Sequence, residues 1–545
     1  MAALDWSRLY ASRCGLHILQ RRLVRRAILL VIFLFVLVAL LEYPTLLLGS
    51  TAPNYWSFIH ADRPYSPESI DSGERKFVIL LPADFSSPDL CKVVSSAIAL
   101  GYPAPVIVNW RKDFHTDAQG IGPSQLGKIS GTLNYLEWAT STNAPEPERL
   151  AGDDLVMMLD AHDVWLQLPP SVLLDRFFKS NAQANRRIFQ EHGDVSQDLM
   201  EQKVIVSAQK GCMAPRDDVS NLHCNSVPES TLPANVYGFL TDSPLSRILR
   251  WKYTRPRYIN SGSFIGPASD LKKYFQRVKQ RMGEDIAALK PHQELGGDQG
   301  IFAEIFGEQE TWRRKAQEEY SRNGRTLGEA EVRLRDEFEY HVGLDYAQEL
   351  FYPTCYSERD GYFVSLNKAQ ELDTESGRLG VSPPRIEGVP RDIEKAKKPL
   401  ATLGQGDRSS LGWGDIPLYV DFWTTAVPVA IHHNAWRDGL KARRKTWWDK
   451  TWYFPHLREL LASALESIGT APLATLEARN GTLDVWPYTV GKRDAAAMLF
   501  VRASPDGEWG LEAASWNMVC KSSNATEEEI SPWYDEVFRD GKGAF

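Results

Sequence analysis

Leu155-Val156-Met157-Met158-Leu159 is an apolar run that ends abruptly in Asp160 and Asp163, two carboxylates three positions apart. A buried strand that runs out into acidic residues delivers charge to the crevice at the carboxyl ends of an α/β sheet, where ligands bind. Two carboxylates there suit a hard divalent cation, and a cation whose other ligands are water and phosphate oxygens would neutralise a nucleotide diphosphate leaving group. The same pattern also describes a strand ending in a solvated turn with an Asp cap. Lys128, in Gly127-Lys128-Ile129, reads equally as an exposed helical lysine or as a point charge for a diphosphate. His432, in Pro428-Val429-Ala430-Ile431-His432-His433-Asn434, reads by position alone as a hydrogen-bonded histidine after a strand. Alternation sends His433 to the opposite face. Nucleophile elbows, P-loops and GxGxxG fingerprints are absent, so hydrolase, ATPase and dinucleotide oxidoreductase readings lack support.

An α/β rhythm must position these groups. The pattern predicts strands at Lys76 to Leu81, Pro105 to Trp110 and Leu155 to Leu159, separated by helices over about Pro88 to Leu100 and Ser124 to Ala139. That alternation predicts a parallel, doubly wound, Rossmann-like sheet. Val204 to Ala208 is a further buried strand, Tyr258 to Gly266 a strand or turn leading into a helix from about Ala268 to Met282, and Gly296-Gly297-Asp298-Gln299 opens another helix. Glu308 to Glu339, dense in both signs of charge, reads as solvated helix or surface insertion. Thr374 to Gly414, rich in Pro, Gly, Lys and Arg, reads as a long loop.

The chain has 545 residues, 43% apolar and 24% charged, so most of it should fold, as two packed lobes or one large domain with additions. With 62 basic against 70 acidic residues and no basic stripe beyond the N-terminus, nucleic-acid binding is not expected. Arg21, Arg22, Arg25 and Arg26 precede the apolar segment Ala27 to Leu41, and apolar character resumes at Leu46 to Leu48. Extended to Gly49, this segment spans ~33 Å as a helix, enough to cross a bilayer once. The arginines should stay cytoplasmic, which places the rest in a lumen as in a type II protein with an uncleaved signal anchor. A cleaved signal peptide competes, but the long polar lead and the lack of a small-x-small site count against it.

Of six cysteines, Cys14 would be cytoplasmic, leaving five in an oxidising lumen and one of them unpaired. Cys212 and Cys224 are near enough in sequence to close a short loop, although connectivity cannot be read from sequence. Neither a CxxC pair nor a Cys/His zinc spacing occurs. Asn480-Gly481-Thr482 and Asn524-Ala525-Thr526 are N-glycosylation patterns.

Residues from about Phe77 to Asn434 resemble the GT-A glycosyltransferase domain of the collagen-modifying family: the procollagen galactosyltransferases and the glycosyltransferase part of the lysyl hydroxylases. The motifs occur in family order: Leu159-Asp160-Ala161-His162-Asp163-Val164, then Ile259-Asn260-Ser261-Gly262-Ser263-Phe264-Ile265-Gly266, Asp298-Gln299, Leu344-Asp345-Tyr346, Leu350-Phe351 and Pro428 to Asn434. Each motif is short, and their joint order makes the match specific. The anchor and stem arrangement resembles fungal type II Golgi enzymes, and nothing like the lysyl hydroxylase iron domain is present. The resemblance implies that Asp160, Asp163 and His432 bind Mn²⁺, a donor set that suits this ion. It also implies that Lys128 reaches the diphosphate and that Asn260 and Asp298 lie on the donor-sugar or acceptor side as catalytic candidates. His162 stands where the family often has Tyr and would line the nucleotide pocket or pack beside it. The family commonly shows two adjacent acids before Gln where this chain has Gly297-Asp298; if the missing acid contributes to collagen acceptor recognition, the acceptor here is a different one. Trp423, Trp436, Trp447, Trp448 and Trp452 cluster near His432, as core or as a carbohydrate platform.

The expected organisation is a cytoplasmic tail (1–26), a transmembrane signal anchor (27–49), a stem (50–75), a nucleotide-sugar-binding half (76–270), an acceptor half carrying the metal-binding histidine (271–460) and a C-terminal extension (461–545). The expected function is a Golgi or endoplasmic-reticulum hexosyltransferase that uses Mn²⁺ and a UDP-sugar donor and acts on a protein or glycan hydroxyl. A GDP-mannose-dependent cell-wall mannosyltransferase and an inert glycan-binding or scaffold protein are the rivals.

Overall fold

The computed structural model describes residues 70–545 except 113–123, 197–198, 214–220, 291–294, 296, 324–328, 405–409, 436, 492–493, 503, 505–506 and 523–531, together with Leu29 and Phe33. The expected tail, the anchor apart from Leu29 and Phe33, and most of the stem lie outside the described residues, as does Asn524. Among the described residues no helix is long and apolar enough to cross a membrane.

Strand β1 (Gly73–Pro82) shows why the fold is layered. Its run from Phe77 to Leu81 is apolar at every position, and alternation sends Phe77, Ile79 and Leu81 into one core and Val78 and Leu80 into the other. The first core lies under helices α1 (Pro88–Ala99) and α3 (Pro170–His192). The second lies under α2 (Gly127–Ala139), α4 (Ala268–Ala287) and α5 (Asp298–Arg322). β3 (Leu155–Leu159) repeats the division, with Met157 on one side and Met158 on the other.

Among the described residues the sheet between these layers has ten strands and is mixed. β1 pairs in parallel with β2 (Val106–Val108) and β3, as expected for a doubly wound arrangement. The all-parallel expectation fails beyond β3. β6 (Tyr258–Pro267) runs antiparallel to both β3 and β5 (Val204–Gln209), and β5 pairs in parallel with β7 (Val342–Asp345). Because β6 is buried on both faces, its composition carries no alternation that would have told its direction.

A second sheet holds three short strands: β11 (Ala430–His432) lies between β4 (Val164–Leu166) and β8 (Phe351–Pro353). A third pairs β9 (Gly361–Ser365) with β10 (Pro417–Asp421).

Residues 461–545 are woven into the main sheet. β13 (Gly481–Pro487) pairs with β12 (Ala474–Ala478) and with the first half of β1, and β14 (Ala497–Arg502) pairs with β2 and with β15 (Trp509–Ala514). Gly73 to Arg75, counted with the stem, are already sheet residues. A disulfide from Cys91 to Cys520 ties α1 to this C-terminal part, a second joins Cys212 and Cys224, and Cys355 is free and buried.

The charged segment 308–339 departs from the expected solvated face. Its described part is helical to Arg322 and again over Glu329–Phe338, but Trp312 and Ala316 are buried, and Arg313 donates to both oxygens of buried Glu339, with Nε to Oε2 at 2.8 Å. Charges that satisfy each other can enter an interior that their count alone would exclude. The stretch 374–414 is irregular only in part. It contains the end of helix Ala369–Arg378 and all of helix Arg391–Lys395, whose Asp392 meets buried Arg176 of α3 at 2.5 Å.

Candidate metal centre

The two sheets meet where β3 ends. After Leu159 the chain turns through Asp160, Ala161, His162 and Asp163 and enters β4 of the second sheet. Both edges of this turn are tied by backbone. The Asp160 N–H donates to the Gly262 carbonyl on β6 at 2.8 Å, and the His433 N–H donates to the Asp163 carbonyl at 2.7 Å. β11 lies antiparallel to β4 with His432 opposite Val164, which brings His432 to the acids across the sequence. The His432 carbonyl is held by the Thr354 N–H, and Asn434 accepts from the Cys355 N–H.

One ligand atom from each of Asp160, Asp163 and His432 lies within 4.8 Å of the others. His432 Nε2 is 3.1 Å from Asp163 Oδ1 and 3.4 Å from Asp160 Oδ2. The side chains of Asp160 and Asp163 are 27% and 19% exposed while His432 is 4% exposed, so the cluster opens to solvent on its carboxylate side. Two carboxylates and an imidazole at this spacing fit a divalent cation of the Mn²⁺ or Zn²⁺ kind, with positions left for water or substrate oxygens.

The other expected site residues lie behind this cluster. Lys128, at the start of α2, forms ion pairs with Asp160 Oδ1 at 2.6 Å and Asp298 Oδ2 at 2.8 Å and donates to the Ser261 carbonyl at 2.9 Å. It is thus a buried brace for Asp160 in this arrangement and does not face the open side. Asp298, at the first position of α5, is the second anchor of that lysine. Asn260 accepts from His432 Nδ1 through Oδ1 at 3.0 Å and donates through Nδ2 to Gln209 and Gln299 at 2.9 and 3.2 Å. Asn260 thus holds one of the three ligands directly, and Asp298 reaches Asp160 through Lys128. His162 stacks on Phe85 at 4.5 Å and pairs through Nδ1 with Ser87 at 3.0 Å; its buried Nε2 has no partner among the described residues.

Charge is distributed accordingly. Burial alone would depress Lys128, but Asp160 and Asp298 outweigh it and hold the ammonium above its ordinary value. Burial raises Asp160 despite Lys128 and His432 beside it. For Asp163 burial is overridden by the charge and hydrogen bond of His432, which hold it well below the usual carboxylate range. His432 is in turn raised against the effect of burial, first by Asp163.

His433 takes the opposite face, as alternation requires. Its ring packs 4.0 Å from Trp165 and 6.1 Å from Trp447, neither nitrogen has a partner among the described residues, and burial pushes it down to about 3. Trp423, Trp448 and Trp452 are buried core residues, whereas Trp436 lies outside the described residues.

Sequence reasoning missed Gln209 and Gly262. A Cβ at Gly262 would stand 2.2 Å from His432 Cε1, so only glycine leaves room for the imidazole. The glycine was visible inside Asn260-Ser261-Gly262, but its partner is 170 positions away. Gln209 carried no signal beyond a polar residue at a strand end.

The chain matches no protein-family model and no curated protein sequence.

Proposed function

We propose that this chain is a metal-dependent glycosyltransferase of the GT-A type, which transfers a hexose from a UDP-sugar to a hydroxyl of a protein or glycan in the secretory pathway. The observation that carries the reading is the convergence of Asp160, Asp163 and His432 at the carboxyl end of β3, where open α/β sheets bind ligands. The ordered motifs shared with the collagen-modifying glycosyltransferases add the substrate class. Mn²⁺ bound there would supply a Lewis acid for the charge that develops on the departing diphosphate.

The protein's own residues hold that arrangement. Asp160 gives one oxygen to Lys128 and keeps Oδ2 on the side of His432, so its carboxylate cannot swing away. Asn260 orients the imidazole by accepting a hydrogen bond from Nδ1–H, which leaves Nε2 for coordination. Lys128 and Asp298 keep the acids' surroundings close to neutral, and the donor and acceptor would be positioned over the exposed carboxylate side. The anchor expected at 27–49 would place this domain in the lumen.

Purified full-length protein incubated with UDP- and GDP-sugars and Mn²⁺ tests the reading. Release of UDP, abolished by EDTA, is the expected result. GDP release from GDP-mannose alone would favour the mannosyltransferase, and glycan binding without turnover of any donor would favour the inert scaffold.

A further inference from the structure

A second cluster of candidate ligands shares no residue with the carboxylate centre. Cys212, His223 and Cys224 each place one ligand atom within 4.8 Å of the others. His223 and Cys224 sit on the short helix Leu222–Asn225, which packs so tightly on α5 that a Cβ at Gly307 would meet the Leu222 carbonyl at 2.3 Å. From α5, the fully buried Glu304 approaches His223 Nδ1 to 3.0 Å. A carboxylate only accepts, so Nδ1 carries the proton and the Nε2 lone pair is left available. This carboxylate–histidine pairing is the arrangement that orients metal-bound imidazoles.

The geometry points to a redox-gated metal site: with the Cys212–Cys224 disulfide reduced, the two thiolates and His223 bind a soft divalent cation such as Zn²⁺. The site was not legible in sequence because two of the ligands are adjacent and the third lies eleven positions before His223, a spacing outside the common zinc patterns. Oxidised, both sulfurs are spent on each other. An external dithiol supplies two electrons and two protons, breaks the S–S bond and is itself oxidised to a disulfide; the two thiols then lose two protons as the metal–sulfur bonds form. The sulfurs must part to about 3.7 Å, the edge of a tetrahedron with metal–sulfur bonds of about 2.3 Å.

Selectivity follows from burial. Cys212 and Cys224 are partly exposed, whereas Cys91 and Cys520 are sealed in the core, and burial pushes the Cys355 thiol up to about 12, away from thiolate. Reduction therefore reaches the first pair before the second. The Asp160, Asp163 and His432 cluster has no sulfur donor, so a thiolate signature distinguishes the two sites.

Co²⁺ is the probe. Full-length protein is treated with a mild dithiol, freed of it without air, and titrated with Co²⁺ beside an untreated sample. One equivalent should give a sulfur-to-cobalt charge-transfer band in the reduced sample and none in the oxidised one. Cys212→Ser with Cys224→Ser should abolish the band, and Glu304→Gln should weaken Co²⁺ binding by about 10-fold or more. His223→Ala should weaken it further, with folding checked by circular dichroism; should that variant not fold, Glu304→Gln decides the histidine's role. A reduced sample without the band, an equal band in the double serine variant, or undiminished affinity in folded Glu304→Gln and His223→Ala proteins would overturn the site.

Discussion

Asn260 Oδ1 stands 3.0 Å from His432 Nδ1 across 172 positions of sequence, and this one contact decides which imidazole nitrogen faces Asp160 and Asp163. The Asn260 amide cannot turn round, because its Nδ2 is held by both Gln209 and Gln299. Asn260→Ala should therefore weaken Mn²⁺ binding by about 10–100-fold while the domain stays folded. Isothermal titration with Mn²⁺ measures this, and wild-type affinity in the variant would refute the positioning role.

Asp160→Asn, Asp163→Asn and His432→Ala each remove a ligand at nearly constant fold. UDP release from a UDP-sugar should fall by at least about 100-fold in each, since charge stabilisation of the leaving group is lost. Full turnover in Asp163→Asn, or undiminished turnover in EDTA, would count against the proposed function.

Gly262→Ala should damage the same centre by steric means. Its Cβ would overlap His432 Cε1 and Nδ1, at 2.2 and 2.4 Å, and the neighbour is a pinned ring. Metal affinity is expected to drop as far as in His432→Ala. Retained affinity would show that the ring can move.

The metal-free centre should release a proton when it binds a cation. His432 is raised above its ordinary value by Asp163, so below that raised value the cation must displace the proton on Nε2. Mn²⁺ affinity should rise with pH until that raised value is passed. In the metal-free protein the ion pair's stabilisation is complete below pH about 6.5 and is lost as pH rises through the raised value. Titration calorimetry in buffers of different ionisation enthalpy reads the proton; an affinity independent of pH from 6 to 8 would contradict the account.

Arg176 and Asp392 pin the helix Arg391–Lys395 to α3. Arg176 also donates to the Glu349 and Val427 carbonyls, so Asp392→Ala leaves a buried guanidinium short of its counter-charge and should cost about 3–5 kcal/mol. Arg176 overrides burial and lowers Asp392, so the pair's contribution is present above pH about 4 and fades as pH falls through the lowered value. Denaturant melts at pH 7 and pH 3 test both, and a wild-type midpoint for Asp392→Ala at pH 7 would be the adverse result.

The strands and helices of the first half and the acid pair are legible in the amino-acid pattern, because both are local. Five unbroken apolar residues at 155–159 can only be buried, and nothing shields Asp160 and Asp163 from ending that run at the sheet's open end. The alternation at 432 and 433 likewise sent one histidine to the cluster and the other into Trp165. Tertiary structure decided what depends on distant partners. β6 reverses direction inside the sheet, since a strand buried on both faces carries no mark of its direction, and β13 and β14 pair with β1 and β2, partners so distant in sequence that no local pattern names them. Lys128 became a brace and Asn260 a ring-holder only once folding brought Asp298, Ser261 and His432 within hydrogen-bond reach, and such distances are set by packing, which no local pattern encodes.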